Sequence, residues 1–278
     1  MKKITLPFLE TMITQFCNLS CLGCTNYSDL NFPGYVPWAE GKKDLESWLQ
    51  IIDIPDFGIM GGEPLINPEV KLWLSGVRSL LPNAQIRFTT NGTLLHKHLD
   101  IIDLVHDLGN IVFKITVHED NKLTEDSINY VLKKFNWETI NEFGIERLRT
   151  SNKLRFQINR PKNFILTYQN SYQRMLPYNS NPEESFKICV QKTCPLLYKG
   201  KIYKCSTQGL LKDLLKKLNI QDSNWDQFLV PGISINDDKS VITDFVNNFN
   251  KPHSICAMCP SKKDVGSIIP HFENVKRK

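Results

Sequence analysis

The sequence predicts an α/β fold made of parallel βαβ units, followed by a smaller C-terminal unit. Strand-like and helix-like segments alternate from residue 8 to residue 167, which is the pattern of parallel βαβ units. The next stretch, 170–188, is rich in Asn, Ser and Pro and has no hydrophobic period, which indicates a boundary. We therefore expect a first domain at 1–170, a linker at 171–188, a second domain at 189–262 and a frayed tail at 263–278.

Within the first domain, β-rich runs predict strands and apolar residues at helical intervals predict helices. The segment 44–52 shows the helical pattern, since Leu45, Trp48 and Ile52 recur on one face. Asn67 and Thr124 are residue types that begin helices, and we expect each of them to cap one. Strands are expected at 8–16, 57–60, 84–90, 111–117, 154–158 and 164–167, and helices at 44–52, 68–81, 95–108 and 124–135.

Composition and charge exclude several classes of protein. No run of about twenty apolar residues is present that could span a membrane, and the first residues lack the continuous apolar run of a signal peptide. The formal net charge of +5 is spread along the chain, so nucleic-acid binding gets little support. We expect a cytoplasmic protein that has neither a membrane nor a nucleic acid as its partner.

The eight cysteines fall in two groups at opposite ends of the sequence. Because cytoplasmic cysteines stay reduced, their expected uses are metal binding, catalysis or burial. The first group places Cys17, Cys21 and Cys24 in one short loop directly after the first predicted strand. Three thiolates can ligate three irons of a cubane and leave one metal position open, whereas a structural zinc site needs four closed ligands.

This C-x3-C-x2-C spacing after a first strand resembles the radical S-adenosylmethionine (SAM) superfamily, in which SAM binds the open iron of a [4Fe-4S] cluster. Residues 61–64 (GGEP) resemble the family segment that receives the SAM amino group, and residues 89–92 (TTNG) resemble its T-N-G loop. The resemblance implies Cys17, Cys21 and Cys24 as cluster ligands. The implied SAM contacts are Gly61, Gly62, Glu63, Pro64, Thr90 and Asn91.

One position departs from the family pattern. The residue before the third cysteine is usually aromatic and packs near the adenine, but here it is Gly23. Either Phe16 or Tyr27 supplies that contact, or no residue does. We include Phe16 among the candidate cofactor contacts.

The second cysteine group includes a predicted β-hairpin with Lys199-Gly200 as its turn. Counting outward from the turn pairs Cys194 with Cys205, so their sulfurs are expected to lie opposite each other on neighbouring strands. The later C-x2-C pair of Cys256 and Cys259 would complete a four-cysteine site.

This arrangement resembles the SPASM/Twitch extension of radical SAM enzymes, which holds an auxiliary iron–sulfur cluster. The single-cluster Twitch form fits better, because five cysteines cannot fill two complete clusters. The implied ligands are Cys194, Cys205, Cys256 and Cys259, with Cys189 as an alternative to Cys194, and a four-cysteine zinc site has the same spacing. The resemblance thus implies a partial (βα)6 TIM-type barrel with a small C-terminal α+β auxiliary-cluster domain.

Three polar residues on the fourth predicted strand are candidates for contact with the substrate. Lys114, Thr116 and His118 have the same parity and point to one face. We take Lys114 and His118 as candidate catalytic residues, with His118 as a proton donor, and Thr116 as a candidate cofactor contact. The alternative for His118 is a hydrogen-bonded polar residue at the strand end.

The resemblance implies an oxidoreductase that cleaves SAM reductively and abstracts hydrogen from a peptide or small-metabolite substrate through a 5′-deoxyadenosyl radical. A flavodoxin- or ferredoxin-type donor would supply the electron, and the auxiliary cluster would assist oxidation or anchor the substrate. The alternatives are a glycyl-radical activase and a non-catalytic zinc-binding module.

Overall fold

The computed structural model describes residues 3–119, 121–142, 145–149, 152–270 and 274–278. The strands are β1 (Ile4–Thr5), β2 (Leu9–Met12), β3 (Leu19–Cys21), β4 (Ile52–Asp53), β5 (Asp56–Met60), β6 (Gln85–Thr90), β7 (Ile111–Thr116), β8 (Glu138–Glu142), β9 (Ile145–Arg149), β10 (Arg155–Asn159), β11 (Asn163–Ile165), β12 (Leu196–Tyr198), β13 (Lys201–Tyr203), β14 (Ile233–Ser234), β15 (Ile268–Pro270) and β16 (Val275–Arg277). The α-helices are α1 (Trp38–Leu49), α2 (Val70–Leu80), α3 (Asp100–Leu108), α4 (Lys122–Lys134), α5 (Pro182–Ile188), α6 (Ser206–Leu218) and α7 (Lys239–Asn248).

Among these residues the largest sheet has ten strands, in the order β14-β13-β12-β2-β5-β6-β7-β10-β9-β8. The strands from β12 to β10 run parallel to one another. The antiparallel strands β13, β14, β9 and β8 lie at its two edges. The fold is therefore α/β with a mostly parallel sheet, as predicted.

The two faces of this sheet differ in character. One face carries fully buried side chains such as Phe57, Phe88 and Phe113, which belong to one core with Trp48 of α1 and Trp73 of α2. Burying each such side chain contributes roughly 1.5–3 kcal/mol of apolar transfer free energy, so this core holds the strands in register.

The other face of the sheet carries polar side chains. In register, Lys114 of β7 lies between Thr89 of β6 and Gln157 of β10, and Thr116 lies beside Asn159. Because the parallel strands end at the same edge, the loops that follow β2, β5, β6 and β7 meet there.

Two predicted helix caps, Asn67 and Thr124, are wrong. The cap of α4 is Asn121, whose side chain accepts a hydrogen bond from the backbone N–H of Leu123, and Thr124 is buried inside the helix. The second helix begins at Val70 after a separate 3₁₀ turn. Asn67 instead donates to the carbonyl oxygens of Ile13 (2.9 Å) and Val36 (3.1 Å), where it ties the loops together.

The predicted hairpin of the C-terminal half is confirmed, with Tyr198 opposite Lys201 and Leu196 opposite Tyr203. Its first strand also pairs with β2, where Leu196 lies beside Glu10. The hairpin therefore extends the main sheet, a pairing that local sequence did not indicate. The proposed division of the chain into domains at 171–188 stays a prediction.

Two segments predicted to lack structure contain a helix or strands among their described residues. The helix α5 lies inside the predicted linker, where Asn181 accepts hydrogen bonds from the backbone N–H groups of Glu183 and Glu184 and Pro182 occupies the first turn. The expectation of a frayed tail is also wrong, because β15 pairs with β11 and β16 pairs with β3. Within the described part of the chain, none of the helices has the length and apolar character needed to cross a membrane.

Candidate functional site

A cavity of about 630 Å³ opens at the C-terminal ends of the parallel strands. All three cysteines of the first group, Cys17, Cys21 and Cys24, line it. The other predicted site residues that line it are Gly61, Gly62, Thr90, Asn91, Lys114, Thr116 and His118. The structure thus brings together most of the residues that the sequence placed at strand ends.

Hydrogen bonds join the cysteine loop to the T-N-G loop. The side-chain nitrogen Nδ2 of Asn91 donates to the sulfur of Cys17 (3.6 Å) and to Oδ1 of Asn18 (3.0 Å). The side chain of Asn18 in turn donates to the hydroxyl of Thr93 (2.7 Å), and the backbone N–H of Leu19 donates to the Cys17 sulfur (3.4 Å). Such donors orient a metal-binding thiolate and stabilise its charge.

The thiols of the first group are buried and lie close enough to influence one another. Burial, and after it the Glu63 carboxylate, raises the pKa of Cys17 to about 12. Burial also raises the pKa of Cys21, with additional effects from Cys24 and Cys17. Cys17 and Cys21 pack with Leu19 in a small apolar cluster, and a bound metal would deprotonate the three thiols and hold them as ligands. The donor set therefore fits an iron–sulfur cluster.

Among the described residues, no three Cys, His, Asp or Glu side chains are gathered in the way that a single metal ion needs. A zinc ion requires its ligand atoms within about 2.3 Å of one centre. Neither cysteine group therefore presents a preformed single-ion site within the described residues.

Glu63 is buried behind the cavity lining and holds the T-N-G loop and the GGEP segment together by hydrogen bonds. Its fully buried carboxylate accepts hydrogen bonds from the Thr90 hydroxyl (2.7 Å) and from the backbone N–H groups of Asn91 (2.7 Å) and Leu65 (3.0 Å). Burial raises its pKa to about 7, an effect that these three hydrogen bonds oppose. Pro64 is also buried. The two glycines are therefore the cavity-facing part of the GGEP segment.

Both glycines are required by close backbone packing. A Cβ atom at Gly61 would lie 2.5 Å from the carbonyl oxygen of Thr14, and one at Gly62 would lie 2.2 Å from the carbonyl oxygen of Phe16. The backbone of Gly62 also donates to the Thr14 carbonyl (2.7 Å). The GGEP backbone is thus packed directly against the chain that leads into the cysteine loop.

We expect Glu63→Ala to destabilise the protein by about 3 kcal/mol, because it leaves three buried donors without an acceptor and each costs about 1 kcal/mol or more. Denaturant unfolding of the metal-free chain at pH 6 measures this change in the free energy of unfolding. Glu63→Gln is the matched control, since its amide oxygen keeps part of the network and the loss should be smaller. Equal unfolding midpoints for Glu63→Ala and the wild type would show that these three hydrogen bonds do not stabilise the fold.

The second cysteine group is arranged differently from the prediction. Strand pairing ends at Leu196 and Tyr203, and Cys205 turns away as the N-cap of α6. The predicted strand pairing of Cys194 with Cys205 is therefore absent, because the paired residues of the hairpin end at Leu196 and Tyr203. Burial raises the pKa of the Cys194 thiol to about 12, and its largest electrostatic neighbours are Glu10 and Arg87 of the main sheet.

Cys189 takes the place expected for Cys194. Burial raises the pKa of Cys259 well above its usual value, and the neighbouring thiols of Cys205, Cys189 and Cys256 raise it further. Cys189, Cys205 and Cys259 also line one small cavity of about 40 Å³. The four mutually close thiols are therefore those of Cys189, Cys205, Cys256 and Cys259.

A buried lysine lies beside these thiols. Burial lowers the pKa of Lys204, while Cys256, Cys205 and Cys189, followed by Cys194, raise it. Its ammonium donates to the carbonyl of Lys192 (3.2 Å). A buried cation needs a counter-charge, and thiolates bound to a metal centre would provide it.

Phe164 lies at the site although no sequence pattern indicated it. Gly23 has φ of +87°, and a Cβ atom there would lie 3.1 Å from the Cβ of Phe164. Phe164 lines the large cavity and stacks on His118 with 6.0 Å between ring centroids. Neither earlier aromatic candidate lines this cavity: Tyr27 is buried in a hydrophobic cluster with partners of the C-terminal half, and the Phe16 ring lies 5.5 Å below the Lys278 ammonium. No local pattern connects Gly23 to Phe164, which is distant in sequence.

Asn26 was also missed. Its Nδ2 donates to the carbonyl of Gly61 (3.3 Å), and the residue lines the large cavity. Its Oδ1 is buried and has no hydrogen-bond partner among the described residues.

Comparison with known proteins decides the family. The family model of the radical SAM superfamily matches residues 11–153, about half of the chain. The chain belongs to the radical SAM superfamily. The match covers the cysteine loop, the GGEP segment and the T-N-G loop, which are the segments that meet at the large cavity.

The similarities to individual proteins are low in sequence identity or in coverage. A probable GTP 3′,8-cyclase from Pyrobaculum aerophilum is 29% identical over 93 residues, which cover 34% of this chain and 29% of that protein. Among solved structures, BtrN in complex with AdoMet and 2-DOIA is 16% identical, covers 94% of this chain and 95% of its own, and has a TM-score of 0.52. SuiB of Streptococcus suis bound to S-adenosylmethionine is 20% identical, covers 44% of this chain and 27% of its own, and has a TM-score of 0.36. The chain thus spans under a third of the cyclase and of SuiB, and the likeness to BtrN shows the fold.

Proposed function

We propose that this radical SAM protein cleaves SAM reductively and uses the 5′-deoxyadenosyl radical to abstract hydrogen from a peptide or small-metabolite substrate. The observation that carries the proposal is the shared cavity: three buried thiols, the GGEP glycines and the T-N-G loop line it together. A [4Fe-4S] cluster held by Cys17, Cys21 and Cys24 would, when bound, supply the electron that splits SAM. A flavodoxin- or ferredoxin-type protein is the proposed donor of that electron.

The residues around the cysteines supply the groups that SAM needs. The carbonyl oxygen of Gly61, which also accepts a hydrogen bond from Asn26, is an acceptor suited to the amino group of SAM. Phe164 offers an aromatic face on the same cavity, in the place that Gly23 leaves open. We therefore propose Phe164, rather than Phe16 or Tyr27, as the residue against which the adenine packs.

We expect Phe164→Ala to weaken SAM binding about tenfold, since stacking of a base on an aromatic side chain is worth about 1–3 kcal/mol and 1.4 kcal/mol corresponds to tenfold. Calorimetric titration of the reconstituted protein with SAM measures the change in Kd. Phe164→Tyr keeps the ring and should bind SAM like the wild type. If Phe164→Ala keeps the wild-type Kd, the adenine lies elsewhere.

The polar side chains on the inner face of β7 provide the proposed substrate contacts. Lys114, Thr116 and His118 all line the cavity beyond the cysteine loop. Lys114 also lies within electrostatic reach of the buried Glu10, whose pKa is raised to about 8 by burial and lowered by Lys114 and Arg87. A substrate entering this cavity would meet the ammonium groups of Lys114 and Lys162 and several hydrogen-bonding groups, with His118 in position to transfer a proton.

We further propose that Cys189, Cys205, Cys256 and Cys259 hold an auxiliary iron–sulfur cluster. The small cavity at these thiols adjoins the large one, and the side chains that line both are Thr25, Ile165 and Val190. One layer of residues therefore separates the two sites. An auxiliary cluster in this position could accept an electron from a substrate radical or anchor the substrate.

Anaerobic reconstitution tests the proposal. The account expects a brown protein with about four irons for each cubane, and formation of 5′-deoxyadenosine that depends on both SAM and a reductant. A colourless protein that retains zinc and forms no 5′-deoxyadenosine would instead identify a zinc-binding module. Transfer of a stable radical to a glycyl-radical enzyme would identify an activase.

A further inference from the structure

The last described residues of the chain form one edge of the cysteine loop. The strand β16 runs antiparallel to β3, with Val275 opposite Cys21. Backbone hydrogen bonds extend the contact at both ends: Leu22 donates to Asn274 (2.9 Å), and Lys278 donates to Asn18 (3.0 Å). The loop between the first and third cysteines is therefore held by a strand from the far end of the sequence.

An ion pair fixes this strand to the rest of the site. The guanidinium of Arg277 contacts both carboxylate oxygens of Glu119, at 2.9 and 3.0 Å from its Nε. Glu119 follows His118 directly in the sequence. The contact joins the chain end to the loop after β7 on the other side of the cavity.

The strand places the Lys278 side chain beside the cysteines. Its ammonium donates to the carbonyl oxygen of Ser28 (2.6 Å), a residue that follows the third cysteine in the sequence. The ammonium also lies 5.5 Å from the centre of the ring of Phe16, which directly precedes the first cysteine. The ammonium therefore bridges the two ends of the cysteine loop. Its charged neighbours there are Cys17, Asp29, Cys24 and Cys21.

We infer that Lys278 is a positioning residue whose cation, held by β16, raises the reduction potential of the cluster at Cys17, Cys21 and Cys24. A cluster with three thiolate ligands becomes more negative when it gains an electron, so a fixed cation stabilises the reduced state more than the oxidised state. Asp29 opposes this effect when ionised, and its carboxylate accepts a hydrogen bond from the Tyr172 hydroxyl (2.8 Å). Substitution of Lys278 alone isolates the contribution of the ammonium. The inference rests on the proposed function, because it requires the cluster to be present.

The test is a potentiometric titration of the reconstituted full chain, followed by electron paramagnetic resonance of the reduced cluster. The ratio of reduced to oxidised cluster at a fixed potential should fall several-fold in Lys278→Gln and fall further in Lys278→Glu, whereas Lys278→Arg should match the wild type. Lys276→Gln is the matched control, since it removes the same charge from the same strand, at a residue that is exposed as Lys278 is.

Two results would overturn the inference. One is a wild-type potential in Lys278→Gln at equal iron content per chain. The other is an equal shift in Lys276→Gln, which would mean that total charge rather than the placed ammonium matters. Failure of the proposed function is distinguishable, because the wild type itself would then bind no iron and form no 5′-deoxyadenosine.

Discussion

Alanine in place of Cys17, Cys21 or Cys24 is expected to reduce SAM cleavage by more than about 100-fold, because loss of even an outer partner of a metal ligand costs about 10–100-fold. Each of these thiols lines the large cavity. With only two protein ligands, the site could not hold a cubane that keeps one position vacant for SAM. The measurement is reductant-dependent 5′-deoxyadenosine per chain after anaerobic reconstitution.

Cys194→Ala is the matched control for this loss. It removes another buried thiol, but one whose main charged neighbours are Glu10 and Arg87 rather than the first cysteine group. We expect it to form 5′-deoxyadenosine at a rate near that of the wild type. Comparable activity in Cys17→Ala and Cys194→Ala would show that the N-terminal loop does not carry the chemistry.

Cys189→Ala is expected to lose the auxiliary cluster, about four irons per chain, whereas Cys194→Ala should keep it. The reason is geometric: Cys259 has Cys205, Cys189 and Cys256 as its neighbouring thiols. Iron analysis of the reconstituted variants measures the difference. Cys256→Ala should lose the same irons and retain some SAM cleavage that is uncoupled from substrate oxidation, since the first cluster does not depend on this residue.

The opposite pattern would contradict this ligand assignment. If Cys194→Ala loses iron and Cys189→Ala keeps it, Cys194 is the fourth ligand of the auxiliary cluster, as the hairpin prediction had it. If neither variant loses iron, the second cysteine group does not bind a cluster.

The alternation of strands and helices was readable from the sequence because it depends on local periods. Segments such as Phe57–Met60 and 84–90 became β5 and β6 with small changes at their ends. The pairing of β12 with β2 was not readable, because it depends on the backbone of Leu196 meeting that of Glu10 across most of the chain. The outward count from the hairpin turn gave the wrong partner for Cys205 because the ladder ends at Tyr203 and Cys205 is already the N-cap of α6.

The candidate site shows the same division. The cysteine loop, the glycines and the strand parity of Lys114 and His118 are short-range patterns, and the structure places all of them on one cavity. Phe164 and Lys278 have no such pattern. Phe164 packs against Gly23 from β11, and Lys278 reaches the cysteine loop through the pairing of β16 with β3. Contacts made by long-range pairing are decided by the whole fold and leave little trace in local spacing.

The most direct test of the central claim is whether SAM binds the cluster held by the N-terminal cysteines. We expect electron–nuclear double resonance of the reduced protein, with SAM labelled by ¹⁵N at its amino group, to show coupling of that nitrogen to the cluster. The coupling should be absent in Cys17→Ala. A reduced wild-type cluster that shows no coupling to labelled SAM would contradict the claim.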